Sequence, residues 1–181
     1  MKSTSLMSIR TFGEGVLPRR SASDGQFLDA ADPAIHAITD FTRELPITVD
    51  EERQIDAALE DMIRFGVRAM LVQREQRIVG LITSYDIQGE RPLQFLQSST
   101  YTQHSDIRVG HIMTPWDKLL AVSWDSMQYA RAGDLLQLLD EAGMTHLLVV
   151  ETGKNDHAPM VRALVSRARL ARQLNGLRRT G

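Results

Sequence analysis

One part of this chain repeats another. Phe65-Gly66-Val67-Arg68-Ala69-Met70-Leu71-Val72 matches Ala142-Gly143-Met144-Thr145-His146-Leu147-Leu148-Val149. Each copy runs on into an apolar stretch ending in a hydroxyl residue, Arg77 to Thr83 in the first and Val161 to Ser166 in the second. Ahead of each lies a helical pattern, and ahead of that a short run, Pro46-Ile47-Thr48-Val49 or Leu120-Ala121-Val122-Ser123. Two copies of strand, helix, strand, strand, helix define an internal repeat. A lone unit of about 60 residues buries only about 60% of its unfolded surface, so the two copies are expected to share a core. The expected fold class is α/β (α+β): two pseudo-symmetric repeats, each a small sheet flanked by two helices.

The boundaries follow from composition and punctuation. Residues 1–27 carry no helix or strand period and read as a flexible arm. Repeat one is expected over 28–97, with Asp32-Pro33 opening it, a polar linker over 98–106, repeat two over 107–177, and a tail at 178–181. In the first repeat Asp50 is the expected helix N-cap, with Glu51 and Glu52 in the first turn. Ile55, Ala58, Leu59, Met62 and Ile63 form the expected buried stripe, and Gly66 the left-handed stop. Strands are expected over Ala69 to Gln73 and Arg77 to Thr83, joined by Arg74-Glu75-Gln76. A helix after Asp86 is interrupted at Gly89 and Pro92 and resumes through Leu93, Phe95 and Leu96. In the second repeat Ala132, Leu135, Leu136 and Leu139 make the stripe and Gly143 the stop. Thr152 to Asp156 reads as a hairpin turn, and Leu170, Leu174 and Leu177 share one face of the last helix.

Composition closes off several functions. The formal net charge of −2 gives no drive toward nucleic acid or membrane. With no cysteine, disulfides, thiolate zinc sites and cysteine nucleophiles are excluded. No apolar run approaches the ~20 residues of a membrane helix, so a soluble, cytoplasmic protein is expected. Nucleophile elbow, P-loop, Gly-x-Gly-x-x-Gly and His-Glu-x-x-His are all absent. The five histidines have no metal-ligand spacing, so neither a metal nor a catalytic site is expected. The C-terminal arginines lack interleaved aromatics, which argues against nucleic-acid binding.

The candidate chemistry lies at the end of the Arg77–Thr83 run. Thr83-Ser84-Tyr85-Asp86 places a hydroxyl and a carboxylate three residues apart where a strand gives way to a helix. This spacing suits a helix cap. It also leaves helix N–H groups and a carboxylate at a sheet edge, where phosphates and ribose hydroxyls are met. In the second repeat Ser166 keeps the hydroxyl, but Arg169 stands where the acid would be. A guanidinium only donates, so Arg169 suits an anion rather than a ribose.

Gly80-Leu81-Ile82-Thr83-Ser84-Tyr85-Asp86 and Gly110-His111-Ile112-Met113-Thr114-Pro115, with Ile38-Thr39-Asp40-Phe41 as a looser copy, resemble the motifs of the cystathionine-β-synthase (CBS) domain family. Over roughly residues 33 to 175 the chain is similar to a tandem CBS pair, or Bateman module. The resemblance implies a regulatory module, not an enzyme, that binds AMP, ADP, ATP or S-adenosylmethionine and acts on a partner protein as a flat homodimer. It implies that Asp86 accepts from both ribose hydroxyls, that Thr83 serves the phosphate, and that Ile38-Thr39 and Val67-Arg68 hold adenine. Arg68, and His146 as its equivalent in the other repeat, are candidates for the phosphate side. Ser166, Arg167 and Arg169 form a candidate anion site. The competing expectation is a ligand-free dimerisation module.

Overall fold

The computed structural model describes residues 27–101, 103–153 and 158–175. The expected arm up to residue 26, the tip of the second hairpin with His157, Leu177 and the tail lie outside the described residues. Among the described residues there are eight strands: β1 (Thr39–Asp40), β2 (Thr48–Asp50), β3 (Ala69–Arg74), β4 (Arg77–Thr83), β5 (Thr114–Pro115), β6 (Leu120–Ser123), β7 (His146–Glu151) and β8 (Met160–Ser166). Seven α-helices accompany them: α1 (Ile55–Phe65), α2 (Ser84–Gln88), α3 (Arg91–Ser98), α4 (Val109–Ile112), α5 (Trp124–Met127), α6 (Ala132–Glu141) and α7 (Arg167–Asn175). This is a mixed α/β chain with two four-stranded sheets, as the repeat implies.

Local sequence explains the main helix of each repeat. In α1 the residues Ile55, Ala58 and Met62, spaced i, i+3, i+7, are buried. Burying the Ile55 and Met62 side chains stabilises by about 1.5–3 kcal/mol each. The helix ends at Gly66, whose φ of 67° suits glycine, and Val67 N–H donates back to the Met62 carbonyl at 3.0 Å. The second copy repeats this at Gly143, φ 62°, with Met144 N–H donating to Leu139 at 2.9 Å. Two expectations about α1 are corrected. Ile63 is 74% exposed, because it lies at the solvent edge of the apolar stripe. The N-cap is Gln54 rather than Asp50: Asp50 ends β2 and its carboxylate accepts from Glu52 N–H in a turn, while Gln54 Oε1 accepts from Ala57 N–H at 2.9 Å. The start of α1 is fixed from outside the helix, by Ile55 N–H donating to the Ile107 carbonyl.

The sheets are assembled by exchange. One runs β2-β3-β4-β5 and the other β1-β8-β7-β6. In each, a short strand pairs parallel with the first strand of an antiparallel hairpin, and the fourth strand comes from far away in sequence. β1 pairs with β8, Thr39 opposite Leu164, and β5 pairs with β4, Thr114 opposite Leu81. The cores follow the same exchange. Leu28, Ala34, Ala37 and Ile38 pack with Leu135, Leu139, Leu147 and Leu170, whereas Ile107, Val109 and Ile112 pack with Ile55, Met62 and Ile82. A third cluster, Leu71, Leu81 and Leu148, draws on both sheets. Gly80 lets β5 come close: a Cβ there would stand 2.7 Å from the Thr114 carbonyl oxygen and 2.6 Å from Met113 Sδ.

Candidate functional site

Because Ala69 stands opposite Thr83 and His146 opposite Ser166, strand register makes the two repeats superimposable residue by residue. Thr83 matches Ser166, Asp86 matches Arg169, and Thr114 matches Thr39. His146 matches Ala69, not Arg68 as the sequence suggested; the residue equivalent to Arg68 is Thr145. The one-position difference matters, because alternate residues of a strand face opposite ways.

At the end of β4, Thr83 caps α2 and closes a box with Asp86. Asp86 N–H donates to Thr83 Oγ1 at 3.2 Å, while Asp86 Oδ2 accepts from Thr83 N–H and from its hydroxyl, both at 2.8 Å. The other oxygen, Oδ1, lies 3.1 Å from Arg91 Nη1. The same nitrogen donates to the Ile112 carbonyl at 2.8 Å and to Thr114 Oγ1 at 3.2 Å. The Asp86 side chain is only 13% exposed, and these donors satisfy its oxygens in place of water. A carboxylate offers about four lone-pair directions. Two are taken by Thr83 and one by Arg91, which leaves Oδ1 one open direction. Turning the Thr83 hydroxyl toward a ligand opens a second, on Oδ2. Two open acceptors are what a cis-diol requires.

Arg91 and Thr114 were missed in the sequence. Arg91 lies five residues past Asp86, beyond the break at Gly89, and nothing local indicates that its guanidinium folds back over the α2 N-terminus.

The second cleft, about 680 Å³, opens beside Ser166. Thr39, Val67, Arg68, His146, Arg169 and Arg172 are among its lining residues. Arg169 Nη1 donates to Thr39 Oγ1 at 2.8 Å, so in both repeats an arginine holds the equivalent threonine. The structure thus divides the residues expected around one nucleotide. Thr83 and Asp86 lie together with Arg91 and Thr114. Thr39, Val67 and Arg68 line the cleft of Ser166 and Arg169 instead. Ile38 is buried in the core of the second sheet. Arg167, expected in the anion site, pairs with Asp140 on α6.

His146 stands between these groups. Burial pushes its imidazole below the ordinary histidine range, against the pull of the Asp86 carboxylate, which raises it. Its Nδ1 lies 3.0 Å from Thr145 Oγ1. Elsewhere charges are matched. Burial raises the Asp40 carboxyl, but hydrogen bonds from Thr42 and Arg162 outweigh this and hold it below its usual value. Arg162 also reaches Glu151 at 2.9 Å and lies over the Trp124 ring at 4.1 Å from its centre. Among the described residues there is no group of three or more histidine or acidic side chains able to hold a metal ion, and no helix long and apolar enough to cross a membrane.

Two α/β repeats complete each other's sheets, with a capped helix start at one strand end and an arginine-lined cleft at the other. Residues 38–91 match the CBS domain family, and the chain as a whole has the fold of CBS-pair proteins. It is similar to the CBS-pair protein CBSX2 of Arabidopsis thaliana in complex with AMP, at 24% identity, covering 82% of this chain and 99% of that one with a TM-score of 0.54. It is also similar to the CBS domain of a bacterial CNNM/CorC family Mg2+ transporter in complex with ATP, at 17% identity, covering 81% and 89% with a TM-score of 0.54. A third likeness is to an uncharacterised conserved protein of Pyrococcus horikoshii, at 18% identity, covering 85% and 97% with a TM-score of 0.56. No curated protein sequence matches the chain.

Proposed function

We propose that this chain is a cytoplasmic regulatory CBS pair that binds one adenosine nucleotide at Asp86 and passes its occupancy to a partner protein. The observation that carries this reading is the Asp86 carboxylate, oriented by Thr83 and Arg91 with acceptor capacity to spare. The ribose diol donates to Oδ1 and Oδ2, and the Thr83 hydroxyl turns from Asp86 to a phosphate oxygen. Pseudo-symmetry places Thr114 and the Met144–His146 stretch around this ligand, as Thr39 and Val67–Ala69 surround the other cleft. Arg91 links Asp86 to the Ile112 carbonyl and Thr114, so a diol on Asp86 bears directly on β5. AMP- and ATP-bound CBS proteins of the same fold support the ligand class. Calorimetry with AMP, ADP, ATP and S-adenosylmethionine tests it. At a hundredfold excess over Kd, binding to the native state alone raises stability by about 2.7 kcal/mol. Failure of all four ligands to bind nucleotide-free protein refutes the reading.

A second reading, a ligand-free dimerisation module, rests on Ile63 and Tyr85. They are 74% and 67% exposed, and both line one hollow between α1 and α2. The equivalent positions in repeat two are Asp140 and Ala168, so an apolar pairing face belongs to repeat one. Light scattering at micromolar concentration should give a dimer that Ile63→Asp converts to monomer. A monomeric wild type removes this reading.

A further inference from the structure

We propose that the Ser166 cleft is a second ligand site of different chemistry, taking an oligophosphate through its phosphates and not through a ribose. Three guanidiniums converge on it from two elements: Arg68 from the turn ahead of β3, and Arg169 and Arg172 one turn apart on α7. The side chains of Arg68 and Arg172 make no ion pair or hydrogen bond among the described residues, and the Arg169 side chain bonds only the neutral Thr39 hydroxyl. The one carboxylate lining the cleft, Glu44, is likewise without an ion pair among the described residues. Several arginines outside the cleft are paired instead. Arg53, Arg74, Arg91, Arg162 and Arg167 each meet a carboxylate.

The placement on the helix makes the same point. In α2 the first turn carries Asp86, complementing the partial positive charge of a helix N-terminus. In α7 the first turn carries no acid, and Arg169 occupies the position of Asp86. Cations there repel one another and oppose the helix dipole, and an anion in the cleft relieves both. Guanidinium forks bind phosphate oxygens in pairs, and the Thr39 and Ser166 hydroxyls add donors. With three fixed cations against one acid, the cleft suits several linked phosphates better than a single one. No carboxylate stands at the Asp86-equivalent position to accept a ribose diol.

The test is calorimetry with tripolyphosphate, ATP and adenosine, without divalent metal, on the full chain, on Asp86→Ala and on Arg169→Gln/Arg172→Gln. Tripolyphosphate should bind once per chain in the wild type and equally well in Asp86→Ala. Affinity should fall by about tenfold or more in the arginine variant, from loss of two charge-assisted contacts. Arg68→Gln, on a separate element, should give a smaller loss and guards against misfolding of α7. ATP binding that persists in Asp86→Ala and competes with tripolyphosphate identifies a nucleotide's phosphate tail as the source. Tripolyphosphate binding alone identifies a free oligophosphate. Adenosine should not bind this cleft. No tripolyphosphate binding to the wild type, or equal binding to the arginine variants, overturns the proposal and leaves the Asp86 reading untouched.

Discussion

The two strand ends share one backbone plan and differ in charge. At β4 the capping box contains an acid, Asp86, and an arginine five residues on pairs with it. At β8 the acid has become Arg169, and the position matching Arg91 is Leu174, so among the described residues no ion pair neutralises Arg169. In both, an arginine holds the threonine of the exchanged strand. Duplication therefore preserved the tie between helix start and incoming strand while reversing the electrostatics of the site. An internal repeat predicts where clefts lie, but only the residue at the cap says what each accepts.

The largest expected effect tests whether the repeats differ in stability as they do in charge. Ile82 is fully buried, and Ile82→Ala should destabilise by about 2–5 kcal/mol; its equivalent, Val165→Ala, removes one methylene fewer and should cost about 0.8 kcal/mol less. Both should shift a single cooperative transition in urea, because each sheet contains a strand from the other half. Two resolved transitions would break the picture of a shared core. Next comes the ligand. Asp86→Ala should weaken nucleotide binding by about 1.5–3 kcal/mol, ten- to a hundredfold in Kd, with the fold retained. Arg169→Asp sharpens the comparison by restoring an acid: calorimetry should then show a second nucleotide per chain, and its absence would mean the cap residue does not decide the ligand.

Gly80→Ala places a methyl against the Thr114 carbonyl and should cost about 1–3 kcal/mol by thermal melting. At the equivalent Ala163 the sheet already accepts a Cβ, so Ala163→Gly should cost only about 0.5–1 kcal/mol. The smallest effect belongs to His146. Its folded-state pKa is depressed by burial, so between that value and the unfolded value of about 6.5 the unfolded chain binds more protons. Stability should accordingly fall as pH drops below about 6.5. His146→Gln should flatten the melting temperature against pH in that window, and an unchanged slope would assign the acid sensitivity elsewhere.

The Thr83 cap, the two glycine stops and the hairpins were legible because they are local. Thr83 and Asp86 are three residues apart and form the expected box; Gly66 and Gly143 adopt the expected left-handed turn. Strand exchange was not legible, since the pattern of Thr39-Asp40 says that it is extended but not which sheet receives it. That is why Thr39 was expected beside Asp86 and lies beside Arg169. Ile63 fits the helical period yet faces outward, because a stripe pattern does not fix how wide the covered face is. Arg91 and Arg172 required the tertiary fold before their roles could be read.

The exchange of β1 and β5 has a consequence for how the chain is made. Synthesis proceeds from the N-terminus, so the first sheet lacks its edge strand until Thr114 and Pro115 have emerged. β1 has no partner until β8 has been made, and Thr39 and Arg169 stand 130 positions apart. On a ribosome, residues 28–41 must remain exposed, with Leu28, Ala34 and Ile38 not fully covered until β8 and α7 are available. Slow translation over residues 120–160 would lengthen that exposure, and that interval is when chaperone capture or aggregation should concentrate.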